Sequence, residues 1–138
     1  MTFENERKYI EEEFSDNWTS STTPIKYSNV NGLVKGTSIV KDSTGLSQWC
    51  RLEIVNTNAD NVVVGGGTIR HEGEIVVNIF VKTGTGTDTA RELCDDVIDI
   101  FNNKTFDDVN CTASIVTTEG DIDGFFMMSV STPYYRDA

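Results

Sequence analysis

The chain of 138 residues is short of several things that catalysis and ligand binding usually draw on. It has one histidine, His71, in Arg70-His71-Glu72. A zinc site would need cysteines and carboxylates for its remaining ligands, and Cys50, Cys94 and Cys111 lack metal-type spacing. Their odd number predicts reduced, packed thiols, which fits an intracellular compartment. There is no Gly-x-Ser-x-Gly elbow, so serine–histidine chemistry has no nucleophile to build on. Basic residues are scarce too: 11 against 22 acidic, a formal net charge of -11. Such a field repels nucleic acid and anionic membrane surfaces, but suits a surface past which DNA slides without sticking. Apolar runs are short, and none approaches the roughly 20 residues a membrane helix needs.

What is present reads as one globular domain over residues 1–138, because 38% of the residues are hydrophobic and only 24% are charged. Thr2 caps a first helix running to about Phe14, with Phe3, Ile10 and Phe14 near one stripe. Glu4, Arg7, Lys8, Glu11 and Glu12 lie opposite, and Ser15-Asp16-Asn17 stops the helix. Pro24-Ile25-Lys26-Tyr27 reads as a short edge strand, where a leading proline is tolerated. Residues 29–48 are rich in Gly, Ser, Thr and Asn, and read as a long loop or a floppy hairpin. A segment of that length is a candidate contact arm, with Leu33, Val34, Lys35, Ile39, Val40 and Lys41 as its contact residues.

Residues 49–56 alternate, with Cys50, Leu52 and Ile54 facing one way and Arg51 and Glu53 the other. Residues 58–61 read as a turn, and 62–64 as a short strand broken by Gly65, Gly66 and Gly67. Residues 68–82 carry the longest strand signal, in which Gly73 marks a bulge or a close backbone approach. A second helix spans 88–101, and strands at 110–118 and 125–132 form a hairpin through a loop at 119–124. This order predicts an α+β fold: a mostly antiparallel sheet with two helices packed on one face.

Three motifs invite chemistry. Gly84-Thr85-Gly86-Thr87 joins a strand to a helix, as a dinucleotide-binding turn does. Here Thr89 stands at the third small position, and Asp88 would set a negative charge against a phosphate. The simpler reading is a helix cap: Asp88 or Thr87 caps, Thr89 and Glu92 close a capping box, and the glycines supply the turn. Asp121-Ile122-Asp123-Gly124 starts like a calcium loop but lacks the later ligands, so it reads as a turn. On the second helix, Ala90, Leu93, Cys94, Val97, Ile98 and Phe101 make an apolar stripe. Glu92, Asp95, Asp96 and Asp99 make an acidic one. That acidic stripe is either a solvated face or a surface kept negative toward a basic partner or a DNA passage. No cofactor or metal is expected.

The sequence also resembles a family. Trp49-Cys50-Arg51-Leu52, Ile69-Arg70-His71-Glu72-Gly73, Val76-Val77-Asn78-Ile79-Phe80-Val81, the glycine turn opening onto Ala90-Arg91-Glu92-Leu93, and Phe125 to Tyr134 follow one another in order. In that order and spacing they resemble the tail-terminator, or tail-completion, proteins of long-tailed bacteriophages. Phe14, Trp18 and Thr23-Pro24-Ile25 extend the likeness over nearly the whole chain. The resemblance implies structural work and not an enzyme. It implies a closed homo-oligomeric ring, commonly a hexamer, on the last ring of the tail tube protein. Such a ring stops tube polymerisation, offers a docking face to the head-side connector, and lets DNA pass through without specific binding or any membrane role. The location implied is the head-proximal end of the virion tail, after assembly in the host cytoplasm. A ring needs an interface that closes, and a free sheet edge with an extended arm can supply one by strand addition. A neck or head-completion protein is the alternative, and a small nucleotide-binding enzyme using Gly84 and Gly86 a more distant one.

Overall fold

A computed structural model describes residues 2–20, 22–35, 38–61 and 67–137. Helix α1, Phe3–Asn17, opens with a capping box in which the Asn5 amide donates to the Thr2 hydroxyl at 3.1 Å. It runs one turn past the expected stop, because the Asn17 side chain donates to the Glu13 carbonyl at 2.8 Å and so satisfies the helix end. Its buried stripe is Glu6, Ile10 and Phe14, a strict four-residue spacing. Phe3 is mostly exposed, so Glu6 takes the inward position that sequence periodicity suggested for Phe3.

One sheet of nine strands fills the rest. The short strands β1 (Ile25–Tyr27), β2 (Leu33–Lys35) and β3 (Ser38–Val40) precede two long ones, β4 (Gln48–Asn61) and β5 (Ile69–Lys82). Helix α2 (Asp88–Phe101) follows. The chain ends with β6 (Thr105–Phe106), β7 (Val109–Cys111), β8 (Ile115–Ile122) and β9 (Phe125–Asp137). The order across the sheet is β3-β2-β1-β4-β5-β9-β7-β6, and β8 pairs with β9 beside β7. All pairings are antiparallel except β1 with β4. The architecture is α+β, as the order of elements predicts.

The register explains the layers. Cys50↔Ile79 and Leu52↔Val77 join β4 to β5, and Val77↔Val130 and Ile79↔Met128 join β5 to β9. These side chains form a buried row on one face, and Ile10 and Phe14 of α1 and Ala90, Leu93, Cys94, Val97 and Phe101 of α2 pack into the same core. Alternation along the strands sends Trp49, Arg51, Asn78, Phe80 and Met127 to the helix-free face.

Several local expectations need correction. Ile25–Tyr27 is not an edge strand; β2 covers its outer side, and Pro24 lies just before it, where the Cys50 amide donates to its carbonyl at 2.9 Å. Residues 58–61 are not a turn. They continue β4 past a bulge between Asn56 and Asn58, where Asn58 to Asn61 pair with Glu72 to Ile69. The expected strand at 62–64 and Gly65 and Gly66 lie outside the described residues. The strand expected at 110–118 is two strands, β7 and β8, separated at 112–114. The expected loop at 119–124 is mostly strand, closed by Asp123 (φ 47) and Gly124 (φ 83). That pair of positive φ values is the two-residue turn that fits a twisted hairpin. β9 runs on through Pro133, whose carbonyl accepts from Thr112 at 2.9 Å. Its missing donor faces the gap where β8 gives way to β7, so no ladder bond is lost.

Candidate interaction surfaces

Within 29–48, β2 and β3 pair antiparallel and form one end of the sheet, and the six candidate residues divide. Leu33 is buried and Val34 packs partly against the core, so within one copy both anchor the hairpin. Lys35, Ile39 and Lys41 are exposed, and Val40 is half-buried. Gly32 holds φ 80, and a Cβ there would stand 2.7 Å from the Val40 carbonyl oxygen. Glycine thus lets β3 fold back tightly beside the start of β2.

The acidic stripe of α2 is real as geometry. Glu92, Asp95 and Asp99 are exposed and Asp96 is half-buried. Asp96 and Asp99 join Glu13 and Lys104 in a cleft of about 380 Å³ floored by Ile100 and Phe106. Burial, and then the charges of Asp99 and Asp95, raise the Asp96 carboxyl above the ordinary range. Ile98 is half-buried, and Ile100 takes the fully inward place expected of it, because α2 packs against both the sheet and α1.

The glycine turn behaves as a strand-to-helix connection. Gly84 and Gly86 have φ 88 and 87, and the Thr85 hydroxyl donates to the Lys82 carbonyl at 2.7 Å. Thr87 occupies the cap position, yet its side chain makes no cap bond, so the expected capping box is absent. The first turn is closed by backbone alone, Arg91 donating to the Thr87 carbonyl at 2.9 Å. Residues 83–88 are exposed, and Asp88 sits in the first turn. His71 is half-buried with its ring edge-on to Phe3 at 5.2 Å, a packing role. Among the described residues, no group of three or more His, Cys, Asp or Glu is placed to hold a metal. The three cysteines are free and buried; burial pushes the Cys94 thiol up to about 11 and Cys111 to about 12. No helix among the described residues is long and apolar enough to cross a membrane.

Three features had little or no sequence signal. The first is a buried ion pair: Arg136 Nε donates to Glu6 Oε1 at 2.8 Å, with both side chains nearly inaccessible. Asn56 Nδ2 donates to the other Glu6 oxygen at 3.1 Å, and the Phe3 ring lies 4.8 Å from the guanidinium carbon. The second is an aromatic cluster on the helix-free face. Trp49 stacks on Phe80 at 4.0 Å, and Phe125 meets both rings edge-on. Beside it, the Asn78 amide bridges the Ser129 hydroxyl at 2.6 Å and Arg51 Nη2 at 3.0 Å. The third is the outer edge of β8. Among the described residues no strand pairs with it, and Ile115, Val116 and Ile122 are exposed along it.

No family model matches the chain, and no curated protein matches it in sequence. It is similar in fold to a solved structure that carries no functional name. The TM-score is 0.71 at 14% identity, over 99% of this chain and 96% of the other. At that identity the likeness establishes a shared architecture over the full length.

Proposed function

We propose that the chain is a structural assembly protein, a tail terminator that closes into a ring, most simply a hexamer, on the end of a phage tail tube. The observation that carries this reading is the placement of the resembling motifs. Trp49–Leu52 lies in β4, Ile69–Val81 in β5, and the glycine turn leads straight into α2. Phe125–Tyr134 lies in β9, so the motifs fall on one connected unit at the centre of the sheet. The rest of the chain extends that unit toward both edges. Among the described residues β3 and β8 each leave an outer edge unpaired, and two different edges suit a heterologous interface, which generates a ring when its rotation closes. The exposed carboxylates of α2 and the net charge of -11 suit a wall along which DNA moves without being held. In this reading the protein works by shape and surface, ending tube growth and presenting a face to the head-side connector.

The test is negative-stain microscopy of the protein alone and mixed with the tail tube protein of its phage. Rings, or tubes blunted at one end and limited in length, are expected. Monomers that leave tube length unchanged would overturn the reading. Rings that bind portal-side protein but not tubes would move the protein to the neck.

A further inference from the structure

β3 ends one side of the sheet; at the other side, where β6 is the terminal strand and β8 lies beside β7 on β9, the outer edge of β8 fits it. β8 is a strand of eight residues whose outer edge no strand covers among the described residues; it has no lysine or proline, and its first four residues precede the bulge and the charges of Glu119 and Asp121. An edge segment without such guards is a template for pairing. Ile115 is 60% exposed and Val116 is 40% exposed. A bulge between Thr118 and Gly120 ends the regular stretch, leaving Ile115 to Thr118 flat and uncharged. At the far side of the sheet, β3 presents Ser38, Ile39 and Val40, with Ile39 74% exposed.

Strand direction, facing and charge all agree. β3 runs parallel to β4 through two antiparallel steps and the parallel β1–β4 pair, whereas β8 runs opposite to β4. A neighbour related by rotation, with its sheet continuing in the same sense, therefore brings β3 against β8 antiparallel. Ile39 aligns through Val34 and Ile25 with Cys50, on the helix-bearing face. Val116 aligns through Val130 with Val77 on that same face. Val40 and Ile115 both lie on the helix-free face. The hairpin belongs to the stretch 17–41, which contains three lysines and no carboxylate. The stretch 105–135 contains five carboxylates and no lysine or arginine. Antiparallel pairing carries the Lys35 end of the hairpin toward Glu119 and Asp121.

We propose that β3 of one copy adds to the open edge of β8 in a second copy of this chain, antiparallel, with Ile39 opposite Val116 and Val40 opposite Ile115. This register alone sets exposed Ile39 on exposed Val116 and half-buried Val40 on exposed Ile115, each pair on one face. Main-chain bonds would supply affinity, the side-chain pairs register, and the charges orientation. The interface is heterologous, each copy giving β3 to one neighbour and β8 to the other. It rests on the ring-forming reading and names the surfaces that close the ring.

Full-length proteins carrying Ile39→Cys and Val116→Cys, prepared separately, provide the test with a short bis-maleimide cross-linker. The native cysteines are buried and serve as background in the unmodified protein. The mixture is expected to give covalent dimers, neither protein alone to give any, and the double variant a ladder up to the ring size. Ile39→Lys is expected to weaken self-association by about tenfold or more, and adding Val116→Glu to restore it. Cross-linking of Val116→Cys to itself would overturn the proposal in favour of a two-fold β8 pair. Cross-linking only to tube protein would assign the edge to that partner. Rings visible by microscopy without the mixed cross-link would overturn this interface while leaving the ring-forming reading intact. Absence of rings with tubes uncapped would end both.

Discussion

Gly73 sits where three elements meet, and it shows how a single hydrogen-sized side chain is dictated. A Cβ there would lie 2.6 Å from both the Tyr134 hydroxyl and the Val55 carbonyl oxygen. Both sequence readings of Gly73 hold: the backbone approach is close, and the bulge of β4 between Asn56 and Asn58 lies directly opposite Gly73 and Glu72. Gly73→Ala is expected to cost about 1–3 kcal/mol as the strands shift to relieve the contact, measured by urea unfolding. The neighbouring Glu6–Arg136 pair is costlier to disturb. Both charges have left water, and each is compensated by the other and by nearby polar groups. Glu6→Ala leaves the guanidinium buried without its carboxylate, a loss of about 3–5 kcal/mol. An unfolding midpoint unchanged from wild type would mean that the chain ends do not hold this pair in solution. Nothing in the sequence marks Glu6 as inward, because its partner lies 130 residues away and one charge in a charged helix has no distinguishing pattern.

Helix α2 is the element that was most legible, and its acidic face is the one that works against the helix. The inward row at 90, 93, 94, 97 and 101 follows from the apolar period alone. Asp96 stands among Glu92, Asp95 and Asp99, and its carboxyl titrates above the ordinary range because burial, and then the charges of Asp99 and Asp95, disfavour ionisation. Its folded pKa being raised, the stability it contributes is present at low pH. That stability is lost as the pH rises from the unfolded value near 3.8 through the raised folded one. Asp96→Asn should therefore stabilise the protein at neutral pH by about 0.2–0.5 kcal/mol for each like-charge contact removed, and flatten the acid side of its stability profile. Thermal melts of the two proteins between acid and neutral pH would check this, and equal profiles would refute it. The sheet was legible where alternation was strong, as in β5, and illegible where pairing overrode composition. Asn58 to Asn61 look like a turn because Asn and Asp disfavour strands, yet the long partner β5 holds them in register. The first half of β8 falls within the strand expected at 110–118, whereas its second half, 119–122, reads as loop because Glu119, Gly120 and Asp121 lack the apolar–polar contrast that betrays a strand.

At the scale of the whole molecule, two electrostatic effects oppose each other in any assembly of identical copies. Each copy carries a net charge of -11, so bringing several together is repulsive over tens of ångströms. Against this, the lysine-bearing hairpin and the carboxylate-bearing edge attract at short range. Salt discriminates between the two. At about 0.1 M the screening length is about 10 Å, so the long-range repulsion is largely removed while a pair in contact is weakened less. Raising salt from about 10 mM to about 150 mM is therefore expected to strengthen self-association, as read by sedimentation velocity at fixed protein concentration. The edge pairing itself is mostly main-chain and apolar and should be little affected, which adds to the same trend. Weaker association at the higher salt would mean that specific ion pairs, and not strand addition, hold the copies together.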